Sequence, residues 1–156
     1  MNQCTWNILT VTNASELNDA FSVREKVFVE EQGVSNDLEK DALDATATHY
    51  VLYDQSGQPA GAARTRHIDT YAKVERVCIS KDLRGQGAGV ALMNCIEREL
   101  LMNQKIPTAK LNAQVHAVRF YEHLGYTICS DEFMDAGIPH VTMKKQLVKT
   151  ENPAQL

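Results

Sequence analysis

The segment Val74-Glu75-Arg76-Val77-Cys78-Ile79-Ser80-Lys81-Asp82-Leu83-Arg84-Gly85-Gln86-Gly87-Ala88-Gly89-Val90 changes character twice. Residues 74 to 79 carry β-branched side chains at alternate positions, which predicts a β-strand. Residues 84 to 89 contain three glycines. From Val90 onward, apolar side chains recur at helical spacing. The sequence therefore predicts a strand, a glycine-rich loop and a helix, in that order.

A helix that begins in glycines can bind an anion at its amino end. Its first backbone N–H groups have no partner within the helix, and the helix dipole places partial positive charge there. Without Cβ atoms in the way, a ligand can approach these groups closely. This is the physical basis of a phosphate or pyrophosphate site. Arg84, at the edge of the loop, could add a charge-assisted contact.

Two common phosphate-binding loops do not fit this segment. A P-loop needs Lys followed by Ser or Thr after its last glycine, where this chain has Ala88-Gly89-Val90. A dinucleotide-binding loop needs its third glycine one position later, at Val90. What remains is Arg84-x-x-Gly87-x-Gly89. By itself this short pattern also fits a flexible turn before a helix.

Composition limits the class of protein. The 156 residues predict one domain, residues 1 to 148, with a tail at 149 to 156. The 16 Lys and Arg against 20 Asp and Glu give a net charge of −4, which does not favour nucleic acid as a partner. No apolar run is long enough to span a membrane, and no signal peptide is visible. We favour reduced thiols and a cytoplasmic location over disulfides, and we expect no metal site. The cysteines are Cys4, Cys78, Cys95 and Cys129.

The rest of the chain alternates between strands and helices. Asn13 predicts the cap of a first helix that ends at Gly33, and further helices are predicted from the glycine loop to Asn103 and over residues 117 to 124. The strand over residues 110 to 114 follows a crossover helix, so it should run parallel to the central strand. The remaining strands are predicted over residues 5 to 11, 49 to 53, 60 to 67, 126 to 130 and 140 to 144.

Two features of the first half keep two interpretations each. Residues 34 to 48 are polar and acidic, and they predict either a functional lid or a solvated acidic loop, with room for a short helix. Arg24 falls near the apolar face of the first helix. It is interpreted either as the partner of Glu31 in an ion pair at the edge of the core, or as part of a helix that lines an acceptor cleft.

The second half resembles the GCN5-related N-acetyltransferase (GNAT) family. The glycine pattern is followed at a suitable distance by Asn112-Ala113-Gln114-x-x-Ala117-x-x-Phe120-Tyr121-x-x-Leu124-Gly125-Tyr126, similar to a segment that the family carries at this point. The run from Glu75 to Gly87 is similar to the glucosamine-6-phosphate N-acetyltransferases. Gly137-Ile138-Pro139-His140-Val141-Thr142-Met143, with Arg24-Glu25-x-Val27-Phe28 and Glu31-Gln32-Gly33, resembles the small bacterial ElaA/YjcF-like acetyltransferases, and this resemblance covers more of the chain.

The resemblance implies a fold and a cofactor. The fold is an α/β (α+β) arrangement with a mixed, mostly antiparallel sheet of six to seven strands and about four flanking helices. Its central parallel pair splays apart, and the pantetheine of acetyl-coenzyme A (acetyl-CoA) lies in that gap. A homodimer is the family's usual habit. The cofactor-binding residues implied are Val77, Cys78, Ile79, Arg84, Gly85, Gln86, Gly87, Ala88, Gly89, Val90, Asn112 and His116.

The resemblance also implies how the chemistry would be divided. Tyr121 stands where the family places the acid that protonates the leaving thiolate, although an aromatic side chain there could simply pack the helix. Period-two alternation places Glu75 on the face of Val77 and Ile79, where it could accept a proton from the amine; a solvated carboxylate is the alternative. His116 could instead cap its helix, and Asn112 could serve the strand backbone. The candidate substrate-binding residues are Arg24, Phe28 and His140, and His140 could instead be a residue at the edge of the core.

The sequence therefore predicts an acetyl-CoA-dependent N-acetyltransferase acting on a primary amine of a small molecule. Three alternatives stay open. The chain could be an acyl-CoA-binding sensor without turnover, or it could acetylate an amino sugar phosphate or a protein amine.

Overall fold

The computed structural model describes residues 6 to 148. The predicted tail at 149 to 156, Thr5 at the start of the predicted opening strand, and Cys4 lie outside this range. The strands are β1 (Asn7–Thr10), β2 (Thr48–Tyr53), β3 (Pro59–Ile68), β4 (Tyr71–Ile79), β5 (Thr108–Gln114), β6 (Thr127–Ile128), β7 (Phe133–Asp135) and β8 (Ile138–Gln146). The α-helices are α1 (Ala14–Arg24), α2 (Asn36–Glu39), α3 (Ala88–Arg98) and α4 (Val118–His123). Wider π-helical turns extend α1 over Glu25–Glu31 and α3 over Glu99–Asn103, and 3-10 turns span Ala42–Ala45, Lys81–Leu83 and Val115–Ala117.

The eight strands form one mixed sheet in the order β1-β2-β3-β4-β5-β8-β6, with β7 also paired to β8. Only β4 and β5 pair in parallel, as predicted; every other pair is antiparallel. The predicted fold class is confirmed, with one strand more than expected. The extra strand, β7, lies between the strands predicted over residues 126 to 130 and 140 to 144. Ala136 and Gly137 both have positive φ (54° and 78°), as a tight two-residue hairpin turn requires, but Ala-Gly lacks the Asn-Gly signal of such turns.

The first helix begins and ends where the sequence predicts. The side chain of Asn13 accepts a hydrogen bond of 2.8 Å from the Glu16 N–H, which satisfies one of the unpaired amides at the start of α1. Gly33 follows the π-helical turn with φ 77°, a conformation that glycine adopts without steric cost. The capped helix packs on one face of the sheet.

Helices cover both faces of the sheet and form two apolar clusters. On one face, α3 packs on the strands through Leu92, Met93 and Ile96, together with Val74 and Leu111. On the other face, α1 contributes Ala20 and Val23, which contact Val51 and Cys78. Burial raises the pKa of the Cys78 thiol to about 12, so this thiol is an inert part of the core.

Two further sequence expectations concern thiols and membranes. In residues 6 to 148, the free cysteines are Cys78, Cys95 and Cys129. None of the helices in that range combines the length and the apolar composition that crossing a bilayer requires.

A gap opens between the two parallel strands, as the resemblance implies. β4 and β5 pair only at Ala72–Ala109, Lys73–Lys110 and Val74–Leu111. Both strands continue beyond that point, to Ile79 and Gln114, without pairing with each other. The gap begins where β4 contains a β-bulge. Arg76 has φ 58°, and the β3–β4 register passes from Arg64–Glu75 to Ala62–Cys78, so β4 holds one residue more than β3.

The bulge overturns one prediction about Glu75. Val74, before the bulge, belongs to the cluster under α3, and Val77 and Ile79, after the bulge, pack against that same cluster. Glu75 therefore points to the opposite face, where it contacts Arg64 of β3. Period-two alternation fails across an extra residue, so the prediction that Glu75 shares a face with Val77 and Ile79 is wrong.

Candidate active site

A cavity of about 600 Å³ lies in and beside the gap between β4 and β5. Its wall comes from the π-helical turn after α1, from β4 and β5, from α4 and from the β7–β8 hairpin. Most of the predicted site residues meet in this wall, whereas Arg24 does not, and residues 85 to 90 follow Arg84 outside it. The predicted residues in the wall are Phe28, Glu75, Val77, Cys78, Ile79, Arg84, Asn112, His116, Tyr121 and His140.

The glycine loop is open in the way that an anion site requires. Gly85 and Gly87 have φ of 81° and 89°, and no atom lies within 4 Å of where a Cβ would stand on either. Gly87 precedes α3 and supplies no side chain to cap it. Within the described chain, no backbone or side-chain acceptor bonds the N–H groups of residues 85 to 90. The side-chain amide of Gln86 points away from these N–H groups and donates to the Asp82 carbonyl. These amides are therefore available to a ligand.

Gly89 has a different part in the site. A Cβ at this position would stand 3.0 Å from Cζ and 3.2 Å from Cε1 of Phe120, so the missing side chain lets α4 pack closely on the start of α3. The Phe120 ring contacts the Tyr121 ring edge to face, with centroids 5.0 Å apart. The loop that presents the open amides and the helix that carries Tyr121 are therefore in direct contact.

Arg84 lies at the mouth of the cavity and is held by an ion pair. Its guanidinium bonds both oxygens of Glu31, one of them at 2.7 Å, and its Nε donates to the Ile79 carbonyl at 3.0 Å. The hydrogen bond from Arg84 lowers the pKa of Glu31. Both side chains are more than a third exposed, and such pairs contribute about 0–1 kcal/mol, so an incoming anion could compete for Arg84.

The backbone of β4 beyond the bulge faces the gap. The Ser80 N–H donates to the Ala60 carbonyl of β3, whereas the Ile79 carbonyl accepts from the Arg84 side chain. Because backbone groups of successive strand residues point to opposite edges, Ile79 and Val77 present theirs to the unpaired side. They can therefore pair with an extended ligand, as the resemblance implies.

Tyr121 is buried at the cavity wall without a protein partner for its hydroxyl. The side chain is 8% exposed, and no hydrogen bond joins its hydroxyl to any residue from 6 to 148. Among residues 6 to 148, His49 Nδ1 is the one solvent-inaccessible side-chain N or O atom that forms no hydrogen bond. Because the Tyr121 hydroxyl also forms none, it must be accessible to solvent, which it reaches through the cavity that Tyr121 lines. Burial raises the pKa of Tyr121 above its usual value, and the group stays protonated at neutral pH.

The Glu75 carboxylate is held by two arginines. Arg64 Nε donates to Oε1 at 2.9 Å, and Arg66 donates to Oε1 and Oε2 at 2.8 and 3.0 Å. Burial opposes ionisation of Glu75, but the hydrogen bonds from Arg66 and the charge of Arg64 outweigh it and hold the pKa below its usual range. A carboxylate so stabilised accepts protons weakly. Its role as a base stays a prediction that this geometry does not favour.

Arg24 lies beneath the cavity, not in its wall. The side chain is fully buried and donates to Glu39 Oε2 at 2.7 Å and to the two Asp44 oxygens at 2.8 and 3.1 Å. Both interpretations of Arg24 are therefore wrong: Glu31 is not its partner, and its donors do not reach the acceptor cleft. Its partners come from the segment after α1, fifteen and twenty residues further along the chain.

Arginines also hold the acidic segment that follows α1. Arg64 bonds Asp41 at 2.8 Å and Asp44 at 2.7 Å. Arg76 donates to the carbonyls of Leu38 and Glu39 at 3.1 and 3.0 Å. Glu39 and Asp44 are 3% and 10% exposed, so the interpretation as a solvated acidic loop is wrong for them. We refer below to Arg24, Glu39, Asp41, Asp44, Arg64, Arg66, Glu75 and Arg76 as the arginine–carboxylate network.

This network predicts loss of stability in acid. Burial opposes ionisation of Asp44, but hydrogen bonds from Arg24 and Arg64 outweigh it and hold its pKa far below the usual range. The Arg64 hydrogen bond likewise lowers the pKa of Asp41. A carboxyl whose pKa is lower in the folded chain stabilises it above the unfolded pKa, and that stabilisation is lost as pH falls through the folded pKa. We expect the free energy of unfolding in urea to be level between pH 7 and about pH 5 and to fall below about pH 4. A constant value down to about pH 3 would contradict this assignment.

Three polar residues at the far end of β5 and β8 occupy fixed positions. His140 donates from Nδ1 to the Ile138 carbonyl at 2.7 Å and stacks on Phe133, with ring centroids 5.9 Å apart and planes 21° apart. Asn112 accepts from the Thr142 hydroxyl at 2.8 Å. His116 Nε2 contacts Gln114 Oε1 at 2.6 Å. All three lie in the cavity wall, and their binding roles stay predictions.

Sequence reasoning missed several polar residues of the wall. Gln32 and Gln114 exchange side-chain hydrogen bonds of 3.3 and 2.9 Å and so join the end of the first helix to β5. Lys73 and Arg76 also line the cavity. Gln32 and Gln114 both stand inside the segments that carry the family resemblance, which was the available signal. Arg76 had none, because a bulge at an arginine has no local sequence mark.

Comparison with protein families places most of the chain in one model. The model described as an acetyltransferase (GNAT) domain matches residues 13 to 147. That range contains the glycine loop, the gap and every predicted site residue.

Individual relatives agree with this match. YjcF of Bacillus subtilis (strain 168), named an uncharacterized N-acetyltransferase, is 44% identical over 134 residues, which cover 85% of this chain and 94% of YjcF. ElaA of Escherichia coli (strain K12) is 26% identical over 140 residues, covering 88% of this chain and 92% of ElaA. The crystal structure of a candidate N-acetyltransferase from Lactobacillus plantarum has a TM-score of 0.85 at 31% identity and covers 93% of this chain and 100% of its own. The resemblance to ElaA/YjcF-like proteins is thereby confirmed.

Proposed function

The chain belongs to the GNAT acetyltransferase family, and from that premise we propose that it transfers the acetyl group of acetyl-CoA to a primary amine of a small molecule. The observation that carries this proposal is the row of open amides at residues 85 to 90, which adjoins the gap beside β4. Helix amino ends of this kind bind phosphate groups. Tyr121, with an open hydroxyl, lies in the wall of the same cavity.

The residues present fit coenzyme A. The open amides would hold the pyrophosphate, and Arg84 would join them after leaving Glu31. The backbone groups of Val77 and Ile79 would pair with the pantetheine, and Asn112 and His116 lie further along the gap. Bound acetyl-CoA would supply a thioester whose carbonyl carbon bonds to the amine nitrogen as its carbon–sulfur bond breaks.

Two protein groups would assist this exchange. A backbone N–H of β4 beyond the bulge would donate to the carbonyl oxygen as negative charge develops on it. The Tyr121 hydroxyl, kept protonated by burial, would donate to the leaving sulfur. Since a phenol is a weaker acid than a thiol, a proton lost by the amine nitrogen must replace the one that Tyr121 gives.

The proposal extends to the acceptor and the setting. The acceptor amine would bind beside Phe28 and His140, which both line the cavity. A cytoplasmic location accords with the free thiols of Cys78, Cys95 and Cys129. The proposal of a homodimer rests only on the usual oligomeric state of the family.

Turnover of the purified chain tests the function directly. Incubation with acetyl-CoA and a panel of primary amines should release free thiol and give an acetylated amine, detected by mass spectrometry. Slow thiol release that no amine accelerates would instead indicate a sensor. Label that passes from acetyl-CoA to lysate proteins would indicate a protein acceptor.

A matched pair of glycine variants tests the cofactor site. Gly87→Ala adds a Cβ beside the open amides, and we expect the affinity for CoA, measured by calorimetry, to fall about tenfold or more, or ~1.4 kcal/mol. Gly57→Ala is the control, because Gly57 has a similar φ of 82° and equally open surroundings but does not line the cavity. It carries the same backbone strain and should bind CoA normally. Equal affinities in the two variants would remove the amides from the cofactor site.

A further inference from the structure

We propose that the imidazole of His140, not the carboxylate of Glu75, takes the proton that the acceptor amine must lose. This inference rests on the proposed acetyl transfer, since an alkyl amine is protonated at neutral pH and its nitrogen can attack only after losing a proton. It assigns His140 a catalytic role in place of the substrate-binding role that the sequence predicts.

The carboxylates of the cavity wall are poor candidates for this base. Glu31 is held by Arg84, Glu39 by Arg24, and Glu75 by Arg64 and Arg66. The guanidiniums hold the pKa of Glu31 and that of Glu75 below the usual range, and Glu39 Oε2 accepts from buried Arg24. Asp135, at the hairpin tip, is exposed to solvent. Glu31, Glu39 and Glu75 are each paired with a guanidinium, so none of the four is a desolvated base without a charged partner.

His140 has a lone pair on Nε2 that faces the cavity. A carbonyl oxygen can only accept, so the contact of 2.7 Å with Ile138 places a hydrogen on Nδ1. In the neutral ring, Nε2 then carries the lone pair, and no described residue bonds it. The residue is only 8% exposed, yet Nε2 is not one of the solvent-inaccessible atoms that lack a hydrogen bond. Nε2 must therefore open into the cavity whose wall His140 forms.

The fold holds this ring at the gap and surrounds it with few charges. His140 pairs with Gln114 at the end of β5 and stacks on Phe133 of β7. The elements packed on β8 present to the cavity His116 from the 3-10 turn and Asp135 from β7, while β5 places the uncharged Gln114 opposite and β6 has no titratable side chain. Tyr121 faces the same cavity from α4.

The proton balance closes with the two side chains in separate roles. Nε2 takes one proton from the ammonium, which frees the nitrogen lone pair, while Nδ1 keeps its bond to Ile138. The Tyr121 hydroxyl gives its proton to the departing sulfur. The second proton that the nitrogen loses as the amide forms replaces the one given by Tyr121. His140 then releases its proton to solvent, so one amide, one thiol and one proton result.

A pH profile of kcat tests the assignment. In the wild type, kcat should fall on the acid side, because a base that already carries a proton cannot take one from the amine. In His140→Gln, kcat should be at least about tenfold lower at pH 7 and should rise only at higher pH, where the amine loses its proton to solvent, with the KM for acetyl-CoA unchanged. His67→Gln is the control, because His67 is exposed and does not line the cavity; its profile should match the wild type. An acid limb in His140→Gln at the same pH as in the wild type, or an acid limb displaced in Glu75→Gln alone, would overturn the inference.

A second readout does not depend on turnover. Long-range ¹H–¹⁵N spectra of the cofactor-free chain should show neutral His140 with its hydrogen on Nδ1, assigned by comparison with His140→Gln. A hydrogen on Nε2 would overturn the inference even if the enzyme is active. A wild type that acetylates no amine would overturn the proposed function and this inference together, whereas an active wild type with an unchanged His140→Gln profile would overturn this inference alone.

Discussion

Replacing Tyr121 with Phe should lower kcat for acetyl transfer roughly a hundredfold, within the range of general acid–base contributions. The variant removes only a hydroxyl that no residue from 6 to 148 bonds, so the free energy of unfolding should change little. The CoA affinity should stay within about twofold, because the open amides and the gap are untouched. Steady-state kinetics and calorimetric titration with CoA measure the two effects separately.

Tyr126→Phe is the matched control for this substitution. Tyr126 is a buried tyrosine that contacts the Tyr121 ring, with centroids 5.9 Å apart, but it does not line the cavity. Its hydroxyl donates to Glu97 at 2.8 Å, so its loss should cost about 1 kcal/mol of stability and leave kcat unchanged. Full activity in Tyr121→Phe, or equal losses of kcat in both variants, would remove Tyr121 from the chemistry.

Arg64→Met should lower the free energy of unfolding by about 3–5 kcal/mol, the usual cost of removing one partner from a buried ion pair. The side chain is 1% exposed and binds Asp41, Asp44 and Glu75, which would all lose a counter-charge. The melting temperature should fall by roughly 10 °C or more. Acidification below about pH 4 should narrow the difference from the wild type, because protonated carboxyls no longer need the guanidinium.

Arg84→Met is the control in the cofactor-free chain. Arg84 also forms an arginine–carboxylate pair, but both partners are exposed, so its loss should cost less than about 1 kcal/mol. Urea unfolding of the two variants compares a buried with an exposed pair directly. Similar losses in both would mean that the arginine–carboxylate network does not stabilise the segment after α1.

Local sequence signals predicted much of the fold and the open glycine loop of the candidate site. Asn13 and the glycines of the loop act through nearby backbone, so the helix start, the open amides and the order of elements could be read from neighbouring residues. The parallel placement of β5 followed from the crossover helix before it. The position of Tyr121 came from the family resemblance, and the structure places it in the cavity wall.

Features that depend on distant partners could not be predicted. Arg24 binds carboxylates fifteen and twenty residues away, across a turn whose path the sequence does not specify. The face of Glu75 depends on the positive φ of Arg76, a conformation usually marked by Gly or Asn. Arg76 itself is held there by carbonyls of Leu38 and Glu39, from a segment without strong periodicity.

The room for a cofactor in this sheet depends on one surplus residue. With Arg76 absent, β4 would match β3 residue for residue. The end of β4 could then stay close enough to β5 for the two strands to pair along their whole length. The backbone N–H and C=O groups of β4 that now face the gap would then bond to β5 instead of being available to a ligand. The length of β4 therefore matters more to the gap than the chemistry of any of its side chains. Deleting one residue at the bulge should be more damaging than substituting any single side chain of this strand.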